Sequence, residues 1–272
     1  MPTSASEHAS GRGSTRTAVV WSGLEPGLRG EPCDVLDIGG GTGGLAVRIG
    51  ALGHRVVVVD PSPDALAALD RRAREHDVAV TGRQGDLSTL LDVVSPAAAD
   101  VVLCHGVLEV VDDPGAALAT LAQVLRPGGT LSLVVAQRHA AVVARAMAGH
   151  FQQALALLDP PTDRPTDRPT DRPTDRPDGQ RHPATQGRAG RRPSTGSGHR
   201  FTHDELVALA ERAGFAVDAV HGIRVFTDLV PGSLLDLEPG ATAALVELEQ
   251  AVAVRPEYLP LATQLHLLGR LA

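Results

Sequence analysis

The stretch from Asp34 to Asp60, DVLDIGGGTGGLAVRIGALGHRVVVVD, constrains the fold more than any other part of the chain. Val35–Ile38 is a short apolar run of the kind found in strands that are buried on both faces. The glycine-rich turn over residues 39–44 removes most of the Cβ atoms that would keep a ligand away from the backbone. A second apolar run ends at Asp60, where a carboxylate can accept both hydroxyls of a ribose held over the turn. The stretch therefore predicts a βαβ unit that binds an adenosine.

The glycine spacing fits two kinds of adenosine ligand. Gly39, Gly41 and Gly44 satisfy the GxGxxG pattern of dinucleotide sites. Asp37, Gly39, Gly41 and Gly43 equally satisfy the DxGxGxG spacing that is typical of S-adenosylmethionine (SAM) sites. Asp37 favours SAM, because a carboxylate would repel a pyrophosphate but suits an ammonium group and a sulfonium. A purely structural glycine turn is the alternative.

The following residues continue the α/β alternation. A helix opened by Pro63 or Asp64 is predicted to lead into a third strand at Val78–Thr81. Gly85 and Asp86 then fall in a loop at the carboxyl end of the sheet, where ligands of doubly wound folds bind. Asp86 can accept the adenine amino group or cap the next helical segment, and the two roles are compatible.

His105 ends the predicted fourth strand at the same edge of the sheet. It is interpreted either as a cofactor contact or as a structural group with its hydrogen bonds satisfied. Glu109 is expected to brace the loop that follows. Leucines and valines at helical spacing over residues 118–125 predict a helix, which Pro127–Gly129 stops before the fifth strand.

Two helical segments are expected to cover the site. Residues 1–15 are small and polar and are predicted to be disordered, whereas Thr17–Leu28 is predicted to form a helix that lids the cofactor. After strand five, Gln137–Leu158 is helix-prone and is expected to roof the same site. Residues 16–158 are thus assigned to a cofactor-binding core.

Composition changes abruptly after this core. The motif TDRP occurs four times between Thr162 and Pro177, and proline at every fourth residue excludes helix and sheet. Residues 159–199 are therefore predicted to be a flexible insertion. Its second half contains arginines and no acid, although the whole chain has a net charge of −7. This basic run indicates either plain solubility or attraction of a polyanion such as RNA.

Residues 200–272 are assigned to the same domain as the core. Thr202 and Glu205 form a capping box, and strands six and seven are predicted at Ala216–Ile223 and Gln264–Leu271. The intervening helix, Thr242–Val254, is expected to bury its leucines and neighbouring small residues. The residues expected to face inward are Leu245, Leu248, Ala251 and Val252.

Cysteine usage and hydropathy exclude several other classes of protein. Cys33 and Cys104 lack ligand-like spacing, so no metal site is expected and a reducing compartment is indicated. No apolar run has the length of a membrane span, and the first residues lack the apolar centre of a signal peptide. A cytoplasmic location is the expectation.

As a set, the motifs DIGGGTGG, VVVVDPS, GDL, CHGVLE and LRPGG resemble those of class I SAM-dependent methyltransferases. More narrowly, the chain resembles the bacterial tRNA methyltransferases that esterify carboxymethoxyuridine at the anticodon wobble position. GSTRTAVVW, CHGVLEVVDDP, QRHA, MAGHF, RRPS and HGIRVFTDL carry this resemblance. It implies a Rossmann-like α/β fold with a seven-stranded, mostly parallel sheet, a C-terminal antiparallel strand pair and helices on both faces. It also implies SAM as cofactor and tRNA as partner, bound through the arginine-rich run.

The resemblance also assigns residues to roles. In that family the arginine of the leading segment touches the SAM carboxylate, and the arginine of IRVF faces the substrate. With the glycine-turn residues, the expected cofactor contacts are Arg16, Asp37, Gly39, Gly41, Thr42, Gly43, Asp60, Gly85, Asp86 and His105. The expected substrate contacts are His139, Arg145, Arg191, Arg192 and Arg224. The chain departs from the family in its TDRP insertion, in arginines where the family has lysines, and in its final segment LATQLHLL.

The implied acceptor is a carboxylate, which is ionised at neutral pH, so no catalytic base is expected. Orientation of the acceptor and exclusion of water are then the main tasks of the protein. Two other functions stay open on the sequence, a small-molecule O- or N-methyltransferase and a non-catalytic SAM-binding protein. A dehydrogenase is a lesser alternative.

Overall fold

The structure of the protein, a computed structural model, describes residues 15–158, 198–235 and 239–272. Two predictions fall on residues outside these ranges. They are the disorder of the N-terminus, except at residue 15, and the flexibility of the insertion, except at residues 198 and 199. The N-terminal half contains α1 at residues 15–24, β1 Asp34–Ile38, α2 Gly44–Gly50, β2 Arg55–Asp60, α3 Pro63–His76, β3 Val80–Gln84, α4 Leu90–Val93, β4 Ala99–His105 and α5 Pro114–Val124. There follow β5 Leu125–Ala136, α6 Arg138–Met147, α7 Phe151–Leu158, α8 His203–Arg212, β6 Phe215–Ile223, α9 Gly232–Leu235, α10 Ala241–Ala253 and β7 Gln264–Leu271, with 3-10 turns at Glu25–Leu28 and Pro256–Leu261.

The strands form one seven-stranded sheet in the order β3-β2-β1-β4-β5-β7-β6. The pairs among the first five strands are parallel, and β7 runs antiparallel to both β5 and β6. The predicted fold class, including the C-terminal antiparallel pair, is confirmed. Strand order reverses between β1 and β4, and ligands of such sheets bind beyond the carboxyl ends of these strands.

Alternation along the strands divides the core into two layers. Leu36 and Ile38 of β1 pack with α4, α5 and α8 on one face of the sheet. Val35 packs with α1, α2 and α3 on the other. Because successive side chains of a strand point to opposite faces, Asp37 lies on the α1 side. The predicted helix is confirmed as α1, and Val19, Val20, Trp21 and Leu24 are buried in that layer. Its role as a lid over the cofactor stays a prediction.

β3 begins two residues later than predicted. Asp77 adopts a left-handed conformation with φ of 50° and closes α3, and the N–H of Val78 donates to the carbonyl of Ala73. Residues 77 and 78 therefore complete the helix end, and pairing with β2 starts at Val80.

β5 begins directly after α5 and includes the predicted turn. Leu125 pairs with Ala99 of β4, and the register shifts before Thr130. Gly128 has φ of 76° within this irregular stretch. The chain thus reverses through an irregularity inside the strand rather than through a separate turn.

The inward face of α10 was predicted wrongly in part. Leu245 and Val252 are buried as expected, but Leu248 is 46% exposed and Ala251 is exposed as well. The polar residue Glu249 is instead fully buried at 0% exposure. The rule that places apolar residues inside failed here because backbone donors of a neighbouring loop surround this carboxylate.

Two assigned segment boundaries differ slightly from the structure. α1 already includes Thr15, the last residue of the expected disordered segment. Gly198 and His199 had been assigned to the insertion, yet the His199 N–H donates to the carbonyl of Glu109 at 2.7 Å. Within the three described ranges, no helix combines the length and apolarity that a bilayer crossing requires.

Candidate functional site

The glycine-rich turn requires glycine at two positions for steric reasons. Gly39 has φ of +70°, and a Cβ there would lie 2.5 Å from Cγ2 of Val107. Gly43 has φ of +75°, and its Cβ would lie 2.0 Å from Cδ1 of Leu69. Both the left-handed backbone and the packing therefore exclude larger side chains.

Asp60 holds this turn against the end of β2. Its Oδ2 accepts a hydrogen bond from the N–H of Gly41 at 3.0 Å, and its Oδ1 accepts one from Ser62 at 2.9 Å. Its backbone carbonyl accepts from the N–H of Gly85 at 3.3 Å. The carboxylate is 8% exposed and lines a cavity, so it has a fixed orientation at the switch point of the sheet.

The larger of two neighbouring cavities has a volume of about 990 Å³ and lies beyond the ends of β1, β2 and β4. Its wall combines carboxylates, glycine backbone and apolar side chains. Residues on this wall include Gly39, Asp60, Asp86, Ser88, Gly106 and Val107. A cavity with apolar walls and a few directed polar groups is suited to a nucleoside.

Asp86 organises its own loop as well as lining this cavity. Its Oδ1 accepts hydrogen bonds from the N–H of Ser88 at 2.9 Å and of Thr89 at 3.1 Å, and from both of their hydroxyls. These hydrogen bonds lower the pKa of Asp86 although partial burial opposes the shift. The predicted helix-capping role is wrong, because α4 begins at Leu90 with Thr89 at its N-cap, and Asp86 instead closes the turn that precedes this helix. The adenine contact stays a prediction.

The smaller cavity has a volume of about 400 Å³ and lies between α1 and the sheet. Arg16, Asp37, Gly40 and His105 lie on its wall, and it shares Gly39 with the larger cavity. The two cavities therefore meet at the glycine turn. The larger one is lined by carboxylates and apolar groups, and the smaller one is lined by charges of both signs.

Asp37 is the buried acid of the smaller cavity. It is 4% exposed, and burial is the main cause that raises its pKa to about 7. Repulsion from Asp60 adds to this effect, and attraction to Arg16 opposes it. A cation placed beside such a carboxyl group would stabilise its ionised form.

Arg16 faces Asp37 from α1. Burial lowers the pKa of its guanidinium, the nearby charges of Glu109 and Asp37 raise it, and the charge of Arg224 lowers it further. Arg16 therefore lies within electrostatic range of a second guanidinium. An anion bound between the two would relieve their repulsion.

His105 lies between the cavity and the core. Its Nε2 is 2.8 Å from the hydroxyl oxygen of Ser132. Burial, followed by repulsion from Arg16, lowers the pKa of His105 to about 3, so the ring is neutral at pH 7. Both interpretations made from the sequence have support, since the ring lines the cavity and also has a structural partner.

Glu109 braces the loop after β4, as predicted. Its Oε1 accepts a hydrogen bond from the N–H of Ala136 at 2.7 Å. Its Oε2 is buried without a hydrogen-bond partner among the described residues. Arg224 likewise has a buried Nε without such a partner. Neither residue is among those that line the two cavities, but buried polar atoms without partners call for an explanation, and a bound polar ligand is one.

Arg224 begins a loop that only the family resemblance, and no local motif, connected to the site. It has φ of 57° and pairs with Asp228. The next three backbone N–H groups, from residues 225–227, all donate to the carboxylate of Glu249 on α10, at 2.7–2.9 Å. Since only the folded chain brings α10 to this loop, no local pattern predicted the contact.

The same network reaches α1. The Thr227 hydroxyl lies 2.6 Å from Oε1 of Glu249 and 3.3 Å from the hydroxyl of Thr15. The shorter contact indicates that Thr227 donates to the carboxylate and accepts from Thr15. Thr15 directly precedes Arg16, so Glu249 supports both segments that carry the two site arginines.

The other predicted residues lie at varying distances from the cavities. Thr42 binds Arg72 of α3 through its backbone carbonyl at 3.0 Å. His139 is exposed on α6, and its Nδ1 is 3.4 Å from the Gln137 amide. Arg145 bonds to Gln153 of α7. Neither His139 nor Arg145 is among the residues that line the two cavities, and Arg191 and Arg192 fall outside the described residues.

The described ranges contain no group of three or more histidine, cysteine, aspartate or glutamate side chains arranged to hold a metal ion.

Residues 36–131 match a family described as a methyltransferase domain. The chain is 28% identical to the tRNA 5-carboxymethoxyuridine methyltransferase of Escherichia coli K12, over 95% of this chain and 89% of that protein. It is 35% identical to the ubiquinone biosynthesis O-methyltransferase of Xanthomonas campestris, but over only 46% of this chain and 49% of that protein.

Solved structures agree on the fold. An S-adenosylmethionine-dependent methyltransferase from Mesorhizobium loti superposes with a TM-score of 0.55, at 18% identity, and covers 94% of this chain and 99% of that one. A possible histamine N-methyltransferase from Thermotoga maritima gives a TM-score of 0.52 at 16% identity, over 95% and 91% of the two chains. Residues 36–131 therefore carry a methyltransferase domain, and the described chain has the fold of S-adenosylmethionine-dependent methyltransferases.

Proposed function

We propose that this chain is a SAM-dependent methyltransferase that transfers a methyl group to the carboxylate of carboxymethoxyuridine at the wobble position of tRNA. The observation that carries the proposal is the similarity to the Escherichia coli enzyme of that name, which extends over 95% of the chain and so includes the segments after β5. Such a substrate would be met in the cytoplasm.

The two cavities support a placement for the cofactor. The adenosine would occupy the larger cavity, with its ribose on Asp60 and its base near Asp86. The methionine part would occupy the smaller cavity, with its carboxylate on Arg16 and its positive charges beside Asp37. Gly39 and His105 also lie on the cavity walls. Gly41, Thr42, Gly43 and Gly85 are not among the residues that line the two cavities, and their contacts with the cofactor are part of the proposal.

Arg224 is the residue proposed to receive the acceptor carboxylate. Its charge acts on Arg16, and its buried Nε lacks a partner among the described residues, while Asp228 holds another part of the guanidinium. An arginine so anchored can orient a carboxylate by a directed hydrogen bond. His139, Arg145 and the run containing Arg191 and Arg192 are proposed to contact the RNA outside the cavities.

The chemistry makes few demands on the protein. When bound, SAM supplies an activated methyl group, and its sulfur keeps the electron pair of the broken C–S bond while a carboxylate oxygen forms the new C–O bond. The carboxylate is already ionised at neutral pH, so no side chain has to remove a proton. The chain's own contribution is to orient the acceptor through Arg224 and to exclude water beneath α1.

The direct test uses tRNA that contains carboxymethoxyuridine but lacks its methyl ester. It is incubated with the protein and SAM carrying an isotopically labelled methyl group, and its nucleosides are analysed by mass spectrometry. The expected product is a labelled methyl ester of carboxymethoxyuridine that mild base removes. Labelled SAM consumption without this nucleoside would refute the proposal, and Arg224→Gln should lower kcat/KM by about tenfold or more.

The RNA partner is tested separately by salt dependence. Changing Arg181, Arg188, Arg191, Arg192 and Arg200 to glutamine should weaken tRNA binding and flatten its dependence on salt, because fewer counterions are released. Arg71→Gln with Arg74→Gln on α3 is a matched control, since these arginines form exposed ion pairs within one helix. Equal salt slopes for the wild type and the five-residue variant would count against an RNA role for the run.

A small-molecule acceptor is the second candidate. The similarity to the ubiquinone biosynthesis O-methyltransferase favours it, although this similarity covers only about half of each chain. Such an enzyme would keep full turnover with its own acceptor after the five arginines are replaced.

A further inference from the structure

A row of polar side chains crosses the sheet beneath α1. Asp37 of β1, His105 of β4, Ser132 of β5, His266 of β7 and His221 of β6 occur on five adjacent strands. Residues flanking these positions, such as Leu131, Leu133, Leu265 and Leu267, pack into the opposite layer, which places the row on the α1 side. α1 approaches closely, since a Cβ at Gly23 would lie 3.0 Å from His221 and 3.2 Å from His266.

Three members of this row form a hydrogen-bonded chain. Nε2 of His105 is 2.8 Å from the Ser132 hydroxyl oxygen, which is 2.9 Å from Nε2 of His266. Ser132 and His266 are both 0% exposed. Burial lowers the pKa of His266 well below its usual value, as it does for His105, so both rings are neutral.

The number of protons restricts how this chain can be arranged. The Ser132 hydroxyl has one hydrogen, so it donates to one ring and accepts from the other. If it donated to His266, that ring would carry its proton on Nδ1, which is buried without a hydrogen-bond partner among the described residues. Orphaned buried N–H groups are rare in folded proteins. The favoured arrangement therefore has His266 donating to Ser132 and Ser132 donating to His105.

We propose that Ser132 and His266 are positioning residues that hold His105 with its proton on Nδ1, so that the ring offers an N–H donor to the smaller cavity. This rests on the proposed placement of the methionine part of SAM in that cavity. The donor is directed by hydrogen bonds from two strands, β5 and β7, that themselves contribute no residue to the cavity wall. Ser132 and His266 then affect cofactor binding only through His105.

The first test reads the tautomer directly. Nitrogen NMR of the full chain with labelled histidine distinguishes a proton on Nδ1 from one on Nε2, with His105 assigned by the loss of its signal in His105→Ala. In the wild type, His105 should show a single neutral tautomer that is protonated on Nδ1. Ser132→Ala should give a mixture. A wild-type His105 protonated on Nε2 would overturn the proposal, whether or not any variant folds.

The second test measures S-adenosylhomocysteine affinity by calorimetry in a double-mutant cycle. Ser132→Ala should weaken binding by roughly threefold to tenfold, the range expected for one lost hydrogen bond, and should have no effect in the His105→Ala background. Equal effects in both backgrounds would mean that Ser132 affects binding independently of His105, which would overturn the proposal. Ser132→Thr, which keeps the hydroxyl, should restore affinity.

A matched control removes a different buried histidine. His54 is 1% exposed, bonds to the carbonyl of Leu28 at 2.9 Å, and directly precedes β2, at the end of that strand away from the cavities. His266→Gln should weaken binding of S-adenosylhomocysteine, whereas His54→Gln should leave it unchanged. Because no RNA is used, these results do not depend on whether the tRNA assignment is correct.

Discussion

Gly43 shows how a single residue couples backbone conformation to the site. Gly43→Ala should lower both the free energy of unfolding and cofactor affinity, because the added methyl group meets Leu69 and the left-handed backbone becomes strained. Strain alone costs about 1–2 kcal/mol, and the clash adds to it. Urea unfolding and S-adenosylhomocysteine titration measure the two losses.

Gly53→Ala is the control for this prediction. Gly53 also has a positive φ, +94°, but nothing lies within 4 Å of its added Cβ. It should therefore show the cost of backbone strain without the clash and without any loss of cofactor affinity. If both variants lost equal stability and affinity, the packing of Leu69 against the turn would not explain the glycine.

Asp37 predicts a pH dependence of stability. Its pKa is about 7 in the folded protein and about 4 in an unfolded chain, so the folded state holds its proton more tightly. The resulting stability is fully present below pH 4 and is lost as pH rises through 7, by at most about 4 kcal/mol. Asp37→Asn should remove this part of the pH dependence in chemical unfolding measured from pH 4 to pH 8.

Cofactor binding should show the opposite trend. The positive charges of SAM favour the ionised form of Asp37, so affinity for SAM should rise between pH 6 and pH 7.5 in the wild type and stay flatter in Asp37→Asn. Parallel pH profiles for the two proteins would show that Asp37 does not face the cofactor's charge.

At the scale of elements, α10 acts through one buried carboxylate. Glu249→Gln should reduce the free energy of unfolding by about 2–4 kcal/mol, because an amide cannot accept from all the donors that converge on the carboxylate. It should also weaken cofactor binding, since the network extends to Thr15 beside Arg16. Glu247→Gln, on the exposed face of the same helix, should change neither quantity.

How far the sequence predicted these elements depended on how local their determinants are. The glycine turn, Asp60 and the Thr202 capping box are set within a few residues or by one βαβ unit, and the structure contains them. The inward face of α10 was missed because Glu249 is satisfied by a loop more than 20 residues away in sequence. The start of β3 was missed because Asp77 extends the end of α3.

The same distinction applies to the site. Arg16 and Arg224 are far apart in sequence, and only a family resemblance connected them before the structure gave their electrostatic contact. Ser132 and His266 carry no motif, since each stands alone among apolar residues of a strand. Their relation to His105 depends on the order of β4, β5 and β7 in the sheet.

For the whole molecule, the sheet order separates two tasks. The parallel strands β1, β2 and β4 end at the two cavities. The family-matched part of the chain, residues 36–131, therefore supplies most of the residues that line these cavities. α1 and the loop after β6 add Arg16 and Arg224 from outside that part. Under the proposed function, the acceptor would therefore be chosen by segments outside the family-matched part of the chain.

The position of β7 between β5 and β6 restricts the order of assembly. β6 has no direct pairing with β5, so it can join the sheet only through β7, although it is earlier in the chain. During refolding, amide protons of β6 should become protected together with those of β7 or after them, which pulsed hydrogen exchange can resolve. Protection of β6 ahead of β7 would contradict this. Arg224, which directly follows β6, would then reach its place only at the last stage of folding, so the acceptor side of the site matures after the cofactor side.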